Sequence, residues 1–233
     1  MKTRLLVAAE RREFDGIRRH LTGTAAITGL GVKFACEGIR GEERWVMVAN
    51  GPGRGLASKA VSDRLLRYLD RKDAGQDNVI GMISTGYCGA LDPTLRVGDI
   101  VISNETHLSS TRAFTRGGVT TQDRVAVTAA EKRALLEQTA AIAVDMEAAS
   151  VEQRAKELGV AYACVRVVSD AAAEDMPLDF NRYRSADGSF SRGRIALAAM
   201  ARPFSVMPAL LEFDRRSKQA SLVLGDFLAD CRF

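Results

Sequence analysis

Apolar residues in this chain gather in short dense runs separated by polar, glycine-bearing stretches. Residues 5–9, 79–84 and 160–168 are rich in small and β-branched side chains and too short for a helix core. Each reads as a strand buried on both faces. Residues 32–39 and 44–49, parted by Arg-Gly-Glu-Glu, predict a hairpin. Between these runs the spacing turns helical. A polar-faced helix follows residue 9 and carries Ile17 and Leu21, residues 56–69 keep a helical rhythm, and a further helix is expected over 131–138. Residues 141–144 form a short strand and another strand follows Gly98. From Met146 onward, Ala149, Ser150, Gln153, Lys156 and Glu157 repeat every 3.6 residues up to Gly159, a left-handed cap. The pattern over 194–213 is interrupted by Pro203 and Pro208, predicting two helices or one kinked helix. Residues 221–233 read as an amphipathic helix with Leu222, Leu224, Phe227 and Leu228 on one side. Residues 106–121 and 171–188 are polar and predict loops.

This is an α/β pattern, and composition limits it further. With 233 residues, 46% hydrophobic and 27% charged, the chain can fill one sizeable core, so a single domain over 1–233 is expected. A net charge of +4 comes from 33 basic and 29 acidic residues that are interspersed. The Arg pairs at 11–12, 18–19 and 215–216 fall on helix-like segments, so nucleic-acid binding is not expected. Cys36, Cys88, Cys164 and Cys231 lack metal-type spacing and suit a reducing, cytoplasmic setting. His20 and His107 have no companion ligands, which leaves no metal site and no serine–histidine triad. No apolar segment reaches the length of a membrane span, so stable insertion in a bilayer is not expected.

The candidate chemistry lies in carboxylates. Residues 160–168 end in Ser169-Asp170, so Asp170 should emerge at the C-terminal end of a buried strand, where open α/β sheets hold ligands. Glu147 opens the preceding helix and Glu13 follows the first strand. Each has an ordinary use as a cap or a helix-face acid. Two desolvated carboxylates beside one cleft point instead to function. The corner 50–55, Asn-Gly-Pro-Gly-Arg-Gly, joins a strand to a helix and reads either as a tight connection or as an anion-binding loop.

Four stretches then define a resemblance: Ala8-Ala9 followed by Glu13; residues 84–99 from Ser-Thr-Gly-Tyr-Cys-Gly to Val-Gly-Asp; Val144-Asp145-Met146-Glu147-Ala148-Ala149; and Val165-Arg166-Val167-Val168-Ser169-Asp170. In order and spacing the chain resembles the purine nucleoside phosphorylase and uridine phosphorylase superfamily, particularly its methylthioadenosine/S-adenosylhomocysteine nucleosidase branch. The resemblance implies a single-domain three-layer α/β/α sandwich around a mixed, partly barrel-like sheet, assembled as homodimers or higher oligomers. It implies cleavage of the N-glycosidic bond of a purine nucleoside, adenine foremost, modified at its 5′ position, with water as acceptor and no cofactor. Asp170 matches the acid that protonates the base, positioned by Ser169, and burial should raise its pKa. Glu147 matches the acceptor of both ribose hydroxyls, Met146 the residue against the sugar face, and Glu13 the carboxylate that orients the water. Backbone at Gly86 and Tyr87 would run along base and sugar. Where the nucleosidases place a base-stacking aromatic, residues 120–126 read Thr-Thr-Gln-Asp-Arg-Val-Ala. That stretch and the compact length look closer to the hopanoid-associated phosphorylase-like branch, linked to release of adenine from adenosylhopane. Phosphorolysis, with inorganic phosphate as co-substrate, would draw on Arg54 and Arg166. A nucleoside-binding protein without turnover is the alternative of another class.

Overall fold

The computed structural model describes residues 1–72, 79–104, 108–185 and 188–233. The expected loop 106–121 lies partly outside them, as do His107 and residues 186–187 of the expected loop 171–188. Strand β1 (Lys2–Ala8) is followed by two 3-10 turns, Arg11–Phe14 and Ile17–His20. The single helix expected here is broken at Gly16, which packs backbone to backbone against Ser221 and Gly225 near the chain's end. A Cβ at Gly16 or Gly225 would collide with that opposing backbone, so neither position tolerates a side chain without separating the two segments.

Next come β2 (Thr22–Ala26), β3 (Phe34–Arg40) and β4 (Glu43–Ala49). The expected hairpin is β3 and β4, paired antiparallel from Arg40↔Glu43 to Phe34↔Ala49. The helical rhythm over 56–69 resolves into α1 (Arg54–Ala60) and α2 (Asp63–Lys72). They part at Val61, whose ψ of 56° is not helical. Strand β5 (Val79–Ala90) runs six residues past its expected end and is followed by β6 (Ile100–Ser103), β7 (Thr115–Arg116) and β8 (Val119–Thr121). The last two stand inside the stretch expected as loop. Helix α3 (Ala129–Thr139) is fixed by a capping box in which Thr128 Oγ1 accepts from Glu131 N at 3.1 Å. Then follow β9 (Ala143–Asp145), α4 (Ala148–Leu158) and β10 (Ala161–Asp170).

The C-terminal part is α5 (Arg192–Met200) and α6 (Val206–Asp230). Pro203 separates them, but Pro208 does not break α6. It sits in the first turn, where a backbone N–H has no acceptor within the helix to lose. The amphipathic segment expected over 221–233 is therefore the end of one 25-residue helix.

The strands form one mixed sheet ordered β2-β3-β4-β1-β5-β10-β6-β7, with β9 joining β5 and β8 joining β9. The pairs β4–β1, β1–β5 and β5–β10 are parallel. Strand parity sorts the core. Leu5, Val7, Val46, Val48 and Met82 face Ala57, Leu65, Val151 and Ala155 of α1, α2 and α4. Leu6, Trp45, Met47, Ile83, Val165 and Val167 face the other way, onto Phe14, Ile17, Leu224, Phe227 and Leu228. The result is the expected three-layer arrangement. Among the described residues no helix is long and apolar enough to cross a membrane.

Candidate active site

Glu13, Glu147 and Asp170, distant in sequence, line one cavity at the C-terminal ends of the parallel strands, and each is at least 95% buried. Asp170 ends β10, whose register with β5 shifts between Val168↔Cys88 and Asp170↔Gly89. The irregularity turns consecutive side chains toward the same site. Ser169 Oγ lies 2.7 Å from Asp170 Oδ1 and 3.1 Å from the Cys88 carbonyl. Glycine at position 89 is what admits this carboxylate, since a Cβ there would stand 2.9 Å from Asp170 Oδ2.

The other oxygen of Asp170 has a partner that the sequence did not reveal. Lys132, from α3, is wholly buried and sets Nζ 2.6 Å from Asp170 Oδ2. It also donates to the carbonyls of Ala171 and Glu174, each at 2.8 Å, so all three ammonium protons are used. The environment of Asp170 is thus a paired one, where burial alone had been expected.

Glu13 sits in the first 3-10 turn after β1. Its Oε2 accepts from Glu10 N at 2.6 Å and its Oε1 from Tyr87 N at 2.9 Å. Burial pushes its pKa up, while these two backbone donors pull it down by less. Gly86 adopts φ +129°, and a Cβ there would collide with Glu13 Oε1. The two glycines of Thr-Gly-Tyr-Cys-Gly therefore make room for two different carboxylates.

Glu147 immediately precedes α4 but does not cap it. Asp145 does, accepting from Ala148 N at 2.7 Å and Glu147 N at 3.3 Å. Glu147 Oε1 instead accepts from Gly53 N at 2.8 Å. The Gly-rich corner thus spends this backbone donor on a protein carboxylate. Burial, and next Asp145, push the Glu147 carboxyl up to about 8 against the pull of Arg166.

Arg166 is the cation beneath these acids. It pairs with Asp145, approaches Glu147 Oε2 at 3.8 Å, and donates to the Thr85 carbonyl at 2.9 Å and to Ser84 Oγ at 2.6 Å. Burial works against its charge, but Asp145, Cys164, Glu147 and Glu13 outweigh burial, and its pKa is raised. Arg54 lies elsewhere. Half exposed, it donates to the Thr121 carbonyl at 2.7 Å and pairs with Asp123 at 3.3 Å, and it does not line the cavity. The structure therefore does not bring Arg54 and Arg166 together as an anion pocket.

Met146 and Tyr87 line the cavity along with Ser169. No aromatic comes from residues 120–126, but Phe180, Phe190 and Phe213 reach the cavity from the segment after β10 and from α6. Phe180 stands 6.0 Å, centroid to centroid, from each of the other two. Past these rings, Glu10 and Arg12, the cavity continues into a groove lined by Ile195, Ala199, Met200, Met207 and Leu210 and edged by Arg11, Asp15, Arg192 and Asp214. Lys132, Asp145 and the three phenylalanines are the site residues that sequence reasoning missed. Only Asp145 carried a signal, as part of the Val-Asp-Met-Glu motif. Among the described residues no cluster of His, Cys, Asp and Glu is arranged to hold a metal ion.

Residues 112–201 match the family model of the phosphorylase superfamily. The fold is similar to that of 5′-methylthioadenosine/S-adenosylhomocysteine nucleosidase from Neisseria meningitidis, solved with methylthio-immucillin-A. The two share 20% identity over 99% of this chain and 98% of that one, with a TM-score of 0.68. It is similar also to futalosine hydrolase from Helicobacter pylori, at 15% identity over 98% and 96% of the two chains and a TM-score of 0.68. For S-adenosylhomocysteine nucleosidase from Streptococcus pyogenes the identity is 16% over 98% and 94%, with a TM-score of 0.66. The resemblance is borne out at the level of the superfamily by this match, which includes the stretches 144–149 and 165–170, and the expected architecture by the shared fold.

Proposed function

We propose that this chain, built on the phosphorylase-superfamily fold, hydrolyses the N-glycosidic bond of a purine nucleoside carrying an apolar 5′ substituent. One observation carries the reading: three carboxylates from separate elements converge on a single cavity, each held by named donors. The C1′–N9 bond breaks with its electron pair going to the purine, and Asp170 delivers a proton to N7 of that base. Lys132 then stabilises the carboxylate left behind. Positive charge growing on the ribose is met by Glu147, which accepts the ribose hydroxyls, with Met146 against the sugar. Water adds to C1′ and gives its proton to Glu13.

Hydrolysis is favoured over phosphorolysis by the charge balance beneath the sugar. Arg166 is opposed by Asp145, Glu147 and Glu13, which disfavours an added phosphate. The groove beyond the phenylalanines supports a bulky apolar 5′ group, as in the adenosylhopane alternative, over a small polar one. Base release from adenosine and from long-chain 5′-alkyl adenosines, with and without phosphate, tests the reading. Release without phosphate, faster for the alkyl compounds, is expected. A strict phosphate requirement refutes hydrolysis, and tight binding without release refutes catalysis.

A further inference from the structure

Six large apolar side chains are exposed among the described residues, and four of them, Leu197, Met200, Phe204 and Leu211, fall between α5 and the first turns of α6. Phe204, in the connecting turn, is 97% exposed. From Gly188 to Leu211 the sequence has no Asp or Glu but holds Arg192, Arg194 and Arg202, all exposed. The acids beside it are paired with arginines: Glu10 with Arg192 at 3.1 Å, Glu212 with Arg215 at 2.7 Å, Asp214 with Arg12 at 3.1 Å and Asp15 with Arg18 at 3.6 Å. Met200 belongs both to this apolar tip and to the groove that leads to the carboxylates.

We propose that the tip formed by α5, the 201–205 turn and the start of α6 docks on an anionic membrane surface, so that a lipid-borne nucleoside passes from the bilayer along the groove to the site. The partner is a membrane because apolar side chains flanked by Arg194 and Arg202, in a stretch whose own sequence holds no acid, fit the boundary between acyl chains and phosphate headgroups. A second copy fits less well, since a two-fold contact would set the same basic rim against itself. Spanning is not involved. The tip lies on the surface and the groove gives the apolar 5′ group continuous cover between lipid and cavity. The inference rests on the reading of the cavity as a site for a nucleoside with an apolar 5′ substituent.

The test is flotation of the full chain with phosphatidylcholine vesicles, with and without phosphatidylglycerol, beside turnover of soluble adenosine. Binding to the anionic vesicles is expected, weakening as salt rises and at least about tenfold weaker on neutral ones. The double variant Arg194→Gln/Arg202→Gln should lose roughly 25-fold, about fivefold for each arginine. Leu197→Ser/Phe204→Ser should abolish flotation, and both variants should keep adenosine turnover, which shows that they fold. Absence of wild-type flotation overturns the proposal even if nucleosides are cleaved. So does self-association that Leu197→Ser/Phe204→Ser dissolves while anionic vesicles are ignored. Flotation without any nucleoside cleavage keeps the docking surface and removes the catalytic reading instead.

Discussion

The two ends of the cavity are built by opposite means. At the carboxylate end all three acids are buried and have named partners: Lys132 for Asp170, Gly53 N–H for Glu147, and two backbone donors for Glu13. At the groove end the lining is Ile195, Ala199, Met200, Met207 and Leu210, on helices whose outer faces are exposed. The first end fixes positions to fractions of an ångström, because buried charges tolerate little misalignment. The second offers mainly apolar area with charged residues along its edge, which selects by size and tolerates varied tails. Reaction type and substrate range are therefore separable, and substitutions should affect one without the other.

The largest effect is expected from Asp170→Asn, which keeps the shape but removes the proton donor. The rate of base release should fall about 10³-fold, as loss of a general acid does, measured by adenine formation. Glu147→Gln comes next. In the wild-type protein the Glu147 carboxyl, at about 8, is mostly protonated below that pH and ionised above it. Only the ionised form accepts from both ribose hydroxyls, so KM should fall as pH rises through 8 and level off beyond. The Gln variant should raise KM roughly tenfold to 100-fold and flatten that dependence.

Lys132→Met tests the pairing itself. Removing one partner of a buried ion pair costs about 3–5 kcal/mol, read by urea unfolding. Lys132→Met/Asp170→Asn should recover much of that loss, because no unpaired buried charge remains. The smallest effect belongs to the far end. Leu210→Ala should lower the preference for long 5′-alkyl groups about tenfold while leaving adenosine turnover within about twofold. Equal loss for both substrates would break the separation of the two ends.

How much of this was legible in the sequence follows the same division. The parity of Leu5, Leu6 and Val7 and of Trp45, Val46 and Met47 announced strands with helices on both faces, because a period of two leaves little freedom. Glu13, Glu147 and Asp170 were legible because each stands at the end of an apolar strand or just past one. Lys132 was not, for its role depends on where α3 lies relative to β10, which no local pattern encodes. Pro208 misled because its effect depends on its place in the helix, and the start of α6 at Val206 is set by tertiary packing. The reach of β5 past Ser84 was hidden by Gly86 and Gly89, which look like punctuation yet serve as clearance for carboxylates inside a strand.

The bare crossing of Gly16 and Gly225 has a mechanical consequence. Two main chains in direct touch form a stiff fulcrum with no side chain between them to absorb displacement. One arm of that lever is the long C-terminal helix, which carries Met207, Leu210 and Phe213 along the tail's path. The other is the short turn that holds Glu13. A Gly225→Ala replacement would wedge the arms apart, so its strain would be felt at the Glu13 carboxylate as well as along the groove.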